Sequence, residues 1–142
     1  NLKEKCNQLG IPCYGGRYNS PYDLSGIKGI IHIPYAWSNL ALFENWAMNN
    51  VYFIPSQLFL LKLCKQSNFF WSPPFDLNYL QSAEWYLPEH HNLFIYFDSW
   101  EHLKELTQNQ TLIDEKKELI KDFVIRHNEK TLTQWRNAIE KW

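Results

Sequence analysis

The sequence predicts an α/β fold, namely a Rossmann-like parallel sheet flanked by helices and followed by a helical carboxyl-terminal end. Short, almost continuous apolar runs of strand length alternate with helical segments, which is typical of a parallel sheet covered on both faces. Charged side chains are unevenly spread, with 13 in residues 1–100 and 16 in the last 42 residues. We therefore expect one domain over 1–142, with a sheet core over 1–98 and solvated helices over 99–142.

The composition fits a single folded domain and excludes several classes of protein. Hydrophobic residues make up 45% of the chain and aromatic residues 17%, including seven tryptophans, which argues against intrinsic disorder. The formal net charge of -1 lacks the basic excess that phosphate binding by a nucleic-acid partner needs, so no nucleic-acid partner is expected. The longest apolar runs, such as residues 58–61, are too short to form a transmembrane segment.

The cysteines and the first residue add two expectations. Cys6, Cys13 and Cys64 are odd in number and have no Cys-x-x-Cys spacing, which favours free thiols in a reducing compartment and thus a cytoplasmic location. The chain begins at Asn1 and not at Met, so we expect it to be part of a longer protein. The first strands of the sheet would then lie upstream of Asn1.

The first half of the chain is predicted to contain three strands. A short helix over 2–9 stops at Gly10, and a strand over 11–14 follows it. Residues 21–24 form a turn or short helix, and the β-branched run 29–35 predicts a second strand that a proline ends. Ser38 is a suitable N-cap for a helix over 39–48. Asn49 and Asn50 end that helix, and a third strand covers 51–54.

The second half is predicted to contain one strand among several helices. Ser56 caps a helix over 57–65, and residues 67–75 form a loop because two prolines forbid regular structure there. A helix is expected over 78–86 and a strand over 93–97. Asp98 or Ser99 caps the next helix, which runs to residue 107. The last helical stretch covers 114–142 and is expected to break near 127–131.

Ligands of open parallel sheets bind outside the carboxyl ends of the strands, and three predicted loops lie there. The first loop contains Gly16, which permits close backbone approach, and Arg17, whose guanidinium can grip a phosphate. The second runs from Tyr35 through Ser38 and Asn39 into a helix start, whose free amides suit a pyrophosphate. The third contains Ser56. The alternatives are a flexible turn with a surface arginine and an ordinary capped helix.

Glu44 is the most informative acidic residue of the chain. It lies on a mostly apolar predicted helix and is the only acid between Asp23 and Asp76. A lone carboxylate near a strand-end cleft is expected to have a partner or a ligand, and accepting hydrogen bonds from the paired hydroxyls of a ribose is one such use. The alternative is a glutamate that faces solvent on the polar side of the helix.

Other residues give weaker indications. Glu89, His90 and His91 are adjacent, so they do not easily converge on one ion, and no metal site is predicted. His32 lies inside a strand and is interpreted as a core or cleft histidine. No Ser/His/Asp, Cys/His or paired-carboxylate set stands out, so the catalytic residues are unknown. The aromatics at 69–71 are interpreted as a hydrophobic plug or as a stacking surface for a base or sugar.

The run GIIHIPYAWSNLALFENWAMNNVYFIPS (29–56) resembles the carboxyl-terminal lobe of two-lobed (GT-B type) glycosyltransferases. In that family a strand and a proline-containing turn precede a helix with a glutamate, here Glu44, and another strand with a Pro/Ser turn follows. The segments from Phe97 to Leu103 and from Trp135 to Ile139 resemble the family's later elements. Ala36 stands where many retaining members have a second glutamate, and Asn49 and Asn50 replace a usual Gly-x-Pro, which the tolerance of asparagine for left-handed backbone permits.

The resemblance implies that this lobe binds a nucleotide-sugar donor for transfer to an acceptor. By resemblance, Glu44 accepts hydrogen bonds from the ribose, the amides of Ser38 and Asn39 hold the diphosphate, and Arg17 offsets its charge without a metal or other cofactor. The glycan or other acceptor would bind through an amino-terminal lobe that this chain lacks. The chain alone is therefore expected to bind a nucleoside diphosphate weakly and to catalyse no transfer.

An alternative interpretation is a non-catalytic module that binds a protein or a glycan. In that case the aromatics at 69–71 together with Trp85 and Tyr86 would form the binding surface. Such a module would bind its partner without any dependence on nucleotide.

Overall fold

The computed structural model describes residues 1–66 and 77–141, and it confirms an α/β fold with a parallel sheet and a carboxyl-terminal helix. Three strands are present among the described residues: β1 Ile30–Ile31, β2 Tyr52–Pro55 and β3 Phe94–Phe97. The α-helices are α1 Leu2–Leu9, α2 Ala41–Ala47, α3 Gln57–Gln66, α4 Leu77–Leu80, α5 Trp100–Gln108 and α6 Gln110–Ile139. Short 3₁₀ helices cover Pro21–Leu24, Glu84–Tyr86 and His91–Leu93.

The sheet has the order β1-β2-β3, and both pairings are parallel. Ile30 pairs with Tyr52, and Tyr52 pairs with Phe94, so the three strands are in register. The predicted strand over 29–35 is reduced to two residues, although the His32 amide still donates to the Phe53 carbonyl at 3.0 Å. Pro34 has no N–H to donate, so the ladder cannot continue past it.

The strand predicted over 11–14 is wrong. The amide of Ile11 donates to the Cys6 carbonyl at 2.9 Å and so completes the carboxyl-terminal cap of α1. Pro12 has no amide hydrogen, so neither of these two consecutive residues has an N–H that could donate to a neighbouring strand. Ile11 is buried beside the helix it caps, which explains its apolar character without a sheet.

Aromatic side chains join helices to both faces of the sheet. On one face, Trp46 of α2 lies 5.2 Å from the ring of Phe94 in β3 and 5.4 Å from Phe123 of α6. On the other, Phe59 of α3 lies 5.8 Å from Phe97 in β3. The layered arrangement therefore follows from the alternation of side chains along each strand.

Local capping fixes several of the helix ends. Asn1 and Glu4 form a capping box at the start of α1, and Gly10 ends this helix in the left-handed conformation with φ 69°. The hydroxyl of Ser99 accepts from the His102 amide at the start of α5, which confirms that predicted cap. Ser56 precedes α3, and its hydroxyl accepts from the Phe59 amide at 3.4 Å. These ends are set by neighbouring residues in the sequence.

The helix that carries Glu44 begins later than predicted. Ser38 is exposed and does not cap it; instead the side-chain oxygen of Asn39 accepts from the Ala41 amide at 2.9 Å. This contact between the Asn39 side chain and the amide two residues later is an Asx turn, and it holds residues 39–40 outside the regular helix. At the other end Asn49 has φ 59°, which confirms that asparagine supplies the left-handed position there.

The predicted helix over 78–86 is only partly present. The structure has the short α4, then a turn, then the 3₁₀ helix Glu84–Tyr86. The amide of Glu84 donates to the carbonyl of Trp37 at 2.8 Å, so a tertiary bond replaces a helical one. The loop predicted over 67–75, with the aromatics at 69–71, lies outside the described residues.

The final helix is longer than predicted and continuous. The side chain of Asn109 accepts from the Leu112 amide, so α6 begins at Gln110 and not at Asp114. It runs to Ile139 without the break expected near 127–131. The segment contains neither proline nor glycine, and its residues are mostly good helix formers, so nothing interrupts the hydrogen-bond ladder.

The three cysteines are free thiols in this structure. Cys6 is buried, and burial, with the thiol of Cys13 as its neighbour, raises the pKa of Cys6 to about 11. Cys6 is therefore a protonated core thiol of low reactivity at neutral pH. Among the helices of the described ranges, none has the length and apolar character that a bilayer span requires.

Candidate functional site

The carboxyl ends of the three strands lie at one edge of the sheet because all the strands are parallel. The segment from Tyr35 to Asn39 follows β1 at this edge, Ser56 follows β2, and Asp98 follows β3. We call residues 35–39 the edge loop. Side chains from separate parts of the chain can converge here, as they do in other open parallel sheets.

The 3₁₀ helix Glu84–Tyr86, which we call the edge strap, lies across this edge and is held there by hydrogen bonds. Trp85 Nε1 donates to the Ala36 carbonyl at 3.0 Å, and the Tyr86 hydroxyl donates to the Pro55 carbonyl at 2.8 Å. The Tyr96 hydroxyl donates in turn to the Trp85 carbonyl at 2.8 Å. The strap thus contacts the chain at the end of β1, β2 and β3, and it forms one wall of the edge.

The edge strap also brings a carboxylate to the edge loop. The Asn39 amide donates to Glu84 Oε2 at 3.3 Å, and both residues are half-buried. Asn39 is therefore placed at the edge as predicted, but its amide already has an anionic acceptor. Ser38, next to it, is exposed. An amide that donates to a carboxylate oxygen can also donate to a phosphate oxygen, because both are anionic acceptors.

Tyr35 and His32 form the start of the edge loop. Tyr35 is 65% exposed, and its ring lies 5.8 Å from that of His32 in an edge-on arrangement. His32 also lies 4.4 Å from the Trp85 ring, and no hydrogen-bond partner reaches its Nε2. Burial lowers the pKa of His32 to about 4, so the imidazole is neutral at physiological pH. This environment agrees with the interpretation of His32 as a core or cleft histidine.

Glu44 lies on the exposed side of α2. Its position is fixed by the opposite side of the helix, where Leu42, Asn45 and Trp46 are buried. The Asn45 amide group donates to the Ala41 carbonyl at 2.8 Å and accepts from the Asn50 side chain at 3.1 Å. This buried polar pair holds the helix in one orientation, and Glu44 therefore points to solvent as an unshielded carboxylate.

Tyr52 is a buried tyrosine of β2. Burial raises the pKa of Tyr52 above its ordinary value, and the phenol of Tyr18 and the carboxylate of Glu44 raise it further, whereas a hydrogen bond with Asn45 lowers it. Tyr18 follows Arg17 in its loop, and the 3₁₀ helix Pro21–Leu24 that comes next packs against α2.

Gly16 and Arg17 themselves are exposed in that loop. The Tyr14 hydroxyl donates to the Arg17 carbonyl at 3.4 Å, and the same tyrosine ring fills the space that a Cβ on Gly16 would need. The Tyr14 ring therefore approaches the glycine closely. Tyr14 is 80% exposed, so it can swing away without a large packing cost.

The adjacent Glu89, His90 and His91 do not form a metal centre. His90 is buried, and its Nδ1 lies 3.0 Å from the Glu84 carbonyl, while its ring packs edge-on against Trp46. His91 stacks on Tyr96 with ring centres 4.8 Å apart. Within the ranges 1–66 and 77–141, no three His, Cys, Asp or Glu side chains are grouped so that they could hold a metal ion.

Trp85 and Tyr86 do not form the aromatic surface that the alternative interpretation required. They are only 1% and 7% exposed, and both side chains are used in the strap. Sequence reasoning did not identify Glu84 or Tyr52 as residues of this region. The sequence did carry a usable signal for Glu84, because this residue lies in a charge-poor part of the chain between Asp76 and Glu89. The same kind of isolation had singled out Glu44.

Searches against known protein families, curated proteins and solved structures find no match to this chain. The candidate site consists of the edge loop with Tyr35, Ser38 and Asn39, the strap with Glu84, the exposed Glu44 of α2, and the loop with Gly16 and Arg17.

Proposed function

We propose that this chain is the donor-binding lobe of a two-lobed glycosyltransferase of Rossmann-like, GT-B type, and that it binds a nucleotide-sugar. The observation that supports this most is the packing of α2, which carries the exposed Glu44, against the 3₁₀ helix Pro21–Leu24 that follows the loop of Gly16 and Arg17. The helix α2 offers an exposed acceptor for sugar hydroxyls, and the loop offers a cation, Arg17. The parallel sheet with its edge loop agrees with this proposal.

The proposed roles follow from the chemistry of each group. A carboxylate accepts two hydrogen bonds at once, so Glu44 suits the vicinal hydroxyls of a ribose. The guanidinium of Arg17 presents paired donors that match a phosphate, and it stabilises the charge that develops on a departing nucleoside diphosphate. Gly16 beside it lets the backbone come close to the ligand. These roles need no metal ion.

The edge loop supplies the remaining proposed contacts. The amides of Ser38 and Asn39 would bind the diphosphate, and the exposed ring of Tyr35 would cover one side of the ligand. The carboxylate of Glu84 accepts from one of these amides, that of Asn39. A diphosphate would replace it there, since its oxygens carry more negative charge.

The proposal predicts weak donor binding and no transfer by this chain alone, because the groups that bind and activate the acceptor belong to a second lobe. The test is a titration with UDP and with GDP, followed by two-dimensional NMR or by tryptophan fluorescence. We expect a saturable shift in the millimolar range with at least one of them. Glu44→Ala and Arg17→Ala should each weaken binding about tenfold, the size of one charged hydrogen bond.

Glu101→Ala is the matched control for these variants. Glu101 is also an exposed helical glutamate, but it lies in the first turn of α5 and is given no role in binding. The affinity of Glu101→Ala for UDP and GDP should equal that of the unmodified chain. The proposal is wrong if neither nucleotide gives a saturable shift, or if Glu44→Ala and Arg17→Ala respond like the control.

A further inference from the structure

The end of α6 carries an exposed apolar stripe that the rest of the described chain does not cover. Ile113 and Ile120 anchor the helix in the core, and His127 stacks on Phe43 with ring centres 4.9 Å apart. Beyond His127 every side chain up to residue 139 is exposed except Thr131, which is half-buried. Three large apolar side chains, between 56% and 68% exposed, lie along this part of the helix: Leu132, Trp135 and Ile139. We call them the distal stripe.

The spacing of the distal stripe is that of a coiled-coil seam. Its members follow one another at intervals of three and four residues, and Ile125 precedes Leu132 by seven, so all four side chains lie on one side of the helix. In heptad terms Leu132 and Ile139 occupy positions a, and Trp135 occupies position d. Asn128 occupies the preceding d position, so the apolar seam ends there, on the side where the helix meets the core.

The charges beside the stripe distinguish the possible orientations of a helix pair. Glu129 and Arg136 occupy the two e positions of this segment. If a second copy packs antiparallel, with Leu132 opposite its Trp135, then Glu129 of each copy lies beside Arg136 of the other. In a parallel pair these side chains would face Val124 and Thr131 instead, so two ion pairs form only in the antiparallel arrangement.

We propose that the distal stripe is the interface of an antiparallel dimer of this chain. In this register Ile139 of one copy faces Asn128 of the other, so the overlap covers the free end of α6 and stops where the helix meets the core. That length is about 18 Å at 1.5 Å per residue, and the two α/β bodies lie at opposite ends of it. Because the interface is small, the dimer is weak and forms with rising concentration.

Sedimentation equilibrium of the full chain, from about 10 µM to about 1 mM, tests the proposal. We expect a monomer–dimer equilibrium that Trp135→Glu abolishes. Arg136→Glu should weaken the dimer about tenfold, because it replaces two attractive pairs by two repulsive ones. The double variant Glu129→Arg with Arg136→Glu should return to within about threefold of the original affinity, since it restores both pairs.

Lys130→Glu is the control, because it changes the net charge as Arg136→Glu does but lies on the outer side of the helix, away from the stripe. All these positions are exposed, and circular dichroism checks that each variant folds. Orientation is tested by oxidising a mixture of Leu132→Cys and Trp135→Cys chains, which should cross-link to each other faster than either does to itself. Oxidised unmodified chain gives the background from Cys6, Cys13 and Cys64.

A monomer at every concentration would overturn the proposal. So would a dimer that tolerates Trp135→Glu, or one that Lys130→Glu and Arg136→Glu weaken equally, because its interface would lie elsewhere. Preferential cross-linking of two Leu132→Cys chains to one another would show a parallel pair and would overturn the proposed register.

Discussion

At the scale of single residues, His32 is the side chain whose environment has the clearest measurable consequence. Its ring is enclosed by Tyr35, Tyr52 and Trp85, and no group donates to or accepts from its Nε2. Burial lowers the pKa of this imidazole from 6.5 to about 4. Between those pH values the unfolded chain binds a proton that the folded chain does not, so the free energy of unfolding falls as the pH decreases through that range.

We predict that His32→Phe removes this pH dependence. At pH 5 the proton on unfolded His32 should cost the unmodified chain about 2 kcal/mol of its free energy of unfolding relative to pH 7.5. Phenylalanine keeps the ring contacts but has no proton to gain. Urea unfolding of both chains at the two pH values measures the difference. If the variant loses as much stability at pH 5 as the unmodified chain, then His32 does not carry the effect.

Residue-scale features were the part of the structure that the sequence predicted best. Gly10 ends α1, Ser99 caps α5, and Asn49 adopts a left-handed conformation, all as expected. Each depends on neighbours within a few residues, so the relevant physics is contained in a short stretch of chain. The cap predicted at Ser38 by the same rule is wrong, because the side chain of the neighbouring Asn39 accepts from an amide at the same helix start.

At the scale of elements, the edge strap has the strongest influence on the candidate site. It brings the Glu84 carboxylate to the Asn39 amide, the group proposed to bind a diphosphate. A negative charge at that position disfavours an anionic ligand, whereas a neutral oxygen there could still accept from the amide. The strap therefore limits the affinity of the proposed site through the charge of Glu84.

We predict that Glu84→Gln strengthens the binding of UDP or GDP about three- to tenfold. The glutamine oxygen preserves the contact with Asn39, so the strap stays in place while the repulsion is removed. Glu89→Gln removes a charge from an exposed residue close by and should leave the affinity unchanged. The NMR titration described above measures all three proteins. Equal affinities would show that Glu84 does not oppose the ligand.

The strap also shows why whole elements are harder to predict than caps. Residues 78–86 contain helix-forming side chains, yet Glu84, Trp85 and Tyr86 are held by bonds to residues far away in the sequence. Residues 11–14 looked like a strand because Ile11 is apolar, but Ile11 is buried against α1. In the first case tertiary contacts decide the local conformation, and in the second a helix cap does; the apolar or helical character of a short run reveals neither.

At the scale of the whole molecule, the division into a sheet core over 1–98 and solvated helices over 99–142 is too simple for energetics. Leu103 of α5 and Ile113 and Ile120 of α6 have no exposed surface and belong to the same core as the sheet residues. The high charge of this region reflects the outer sides of α5 and α6, and the free end of α6 beyond His127. The core therefore depends on the first half of α6 as much as on its strands.

This arrangement predicts a steep gradient of stability effects along one helix. Ile120→Ala should lower the free energy of unfolding by about 3 kcal/mol, because it leaves a cavity at a position with 0% exposure. Ile139→Ala, at a position with 68% exposure, should change it by less than about 0.5 kcal/mol. Urea unfolding at low micromolar concentration, where the proposed dimer dissociates, measures both through tryptophan fluorescence and circular dichroism.

The fluorescence and circular dichroism signals should change together for each variant, since the sheet and the first half of α6 share one core. Separate transitions of the two signals, or similar losses of unfolding free energy in Ile120→Ala and Ile139→Ala, would mean that α6 unfolds independently of the sheet.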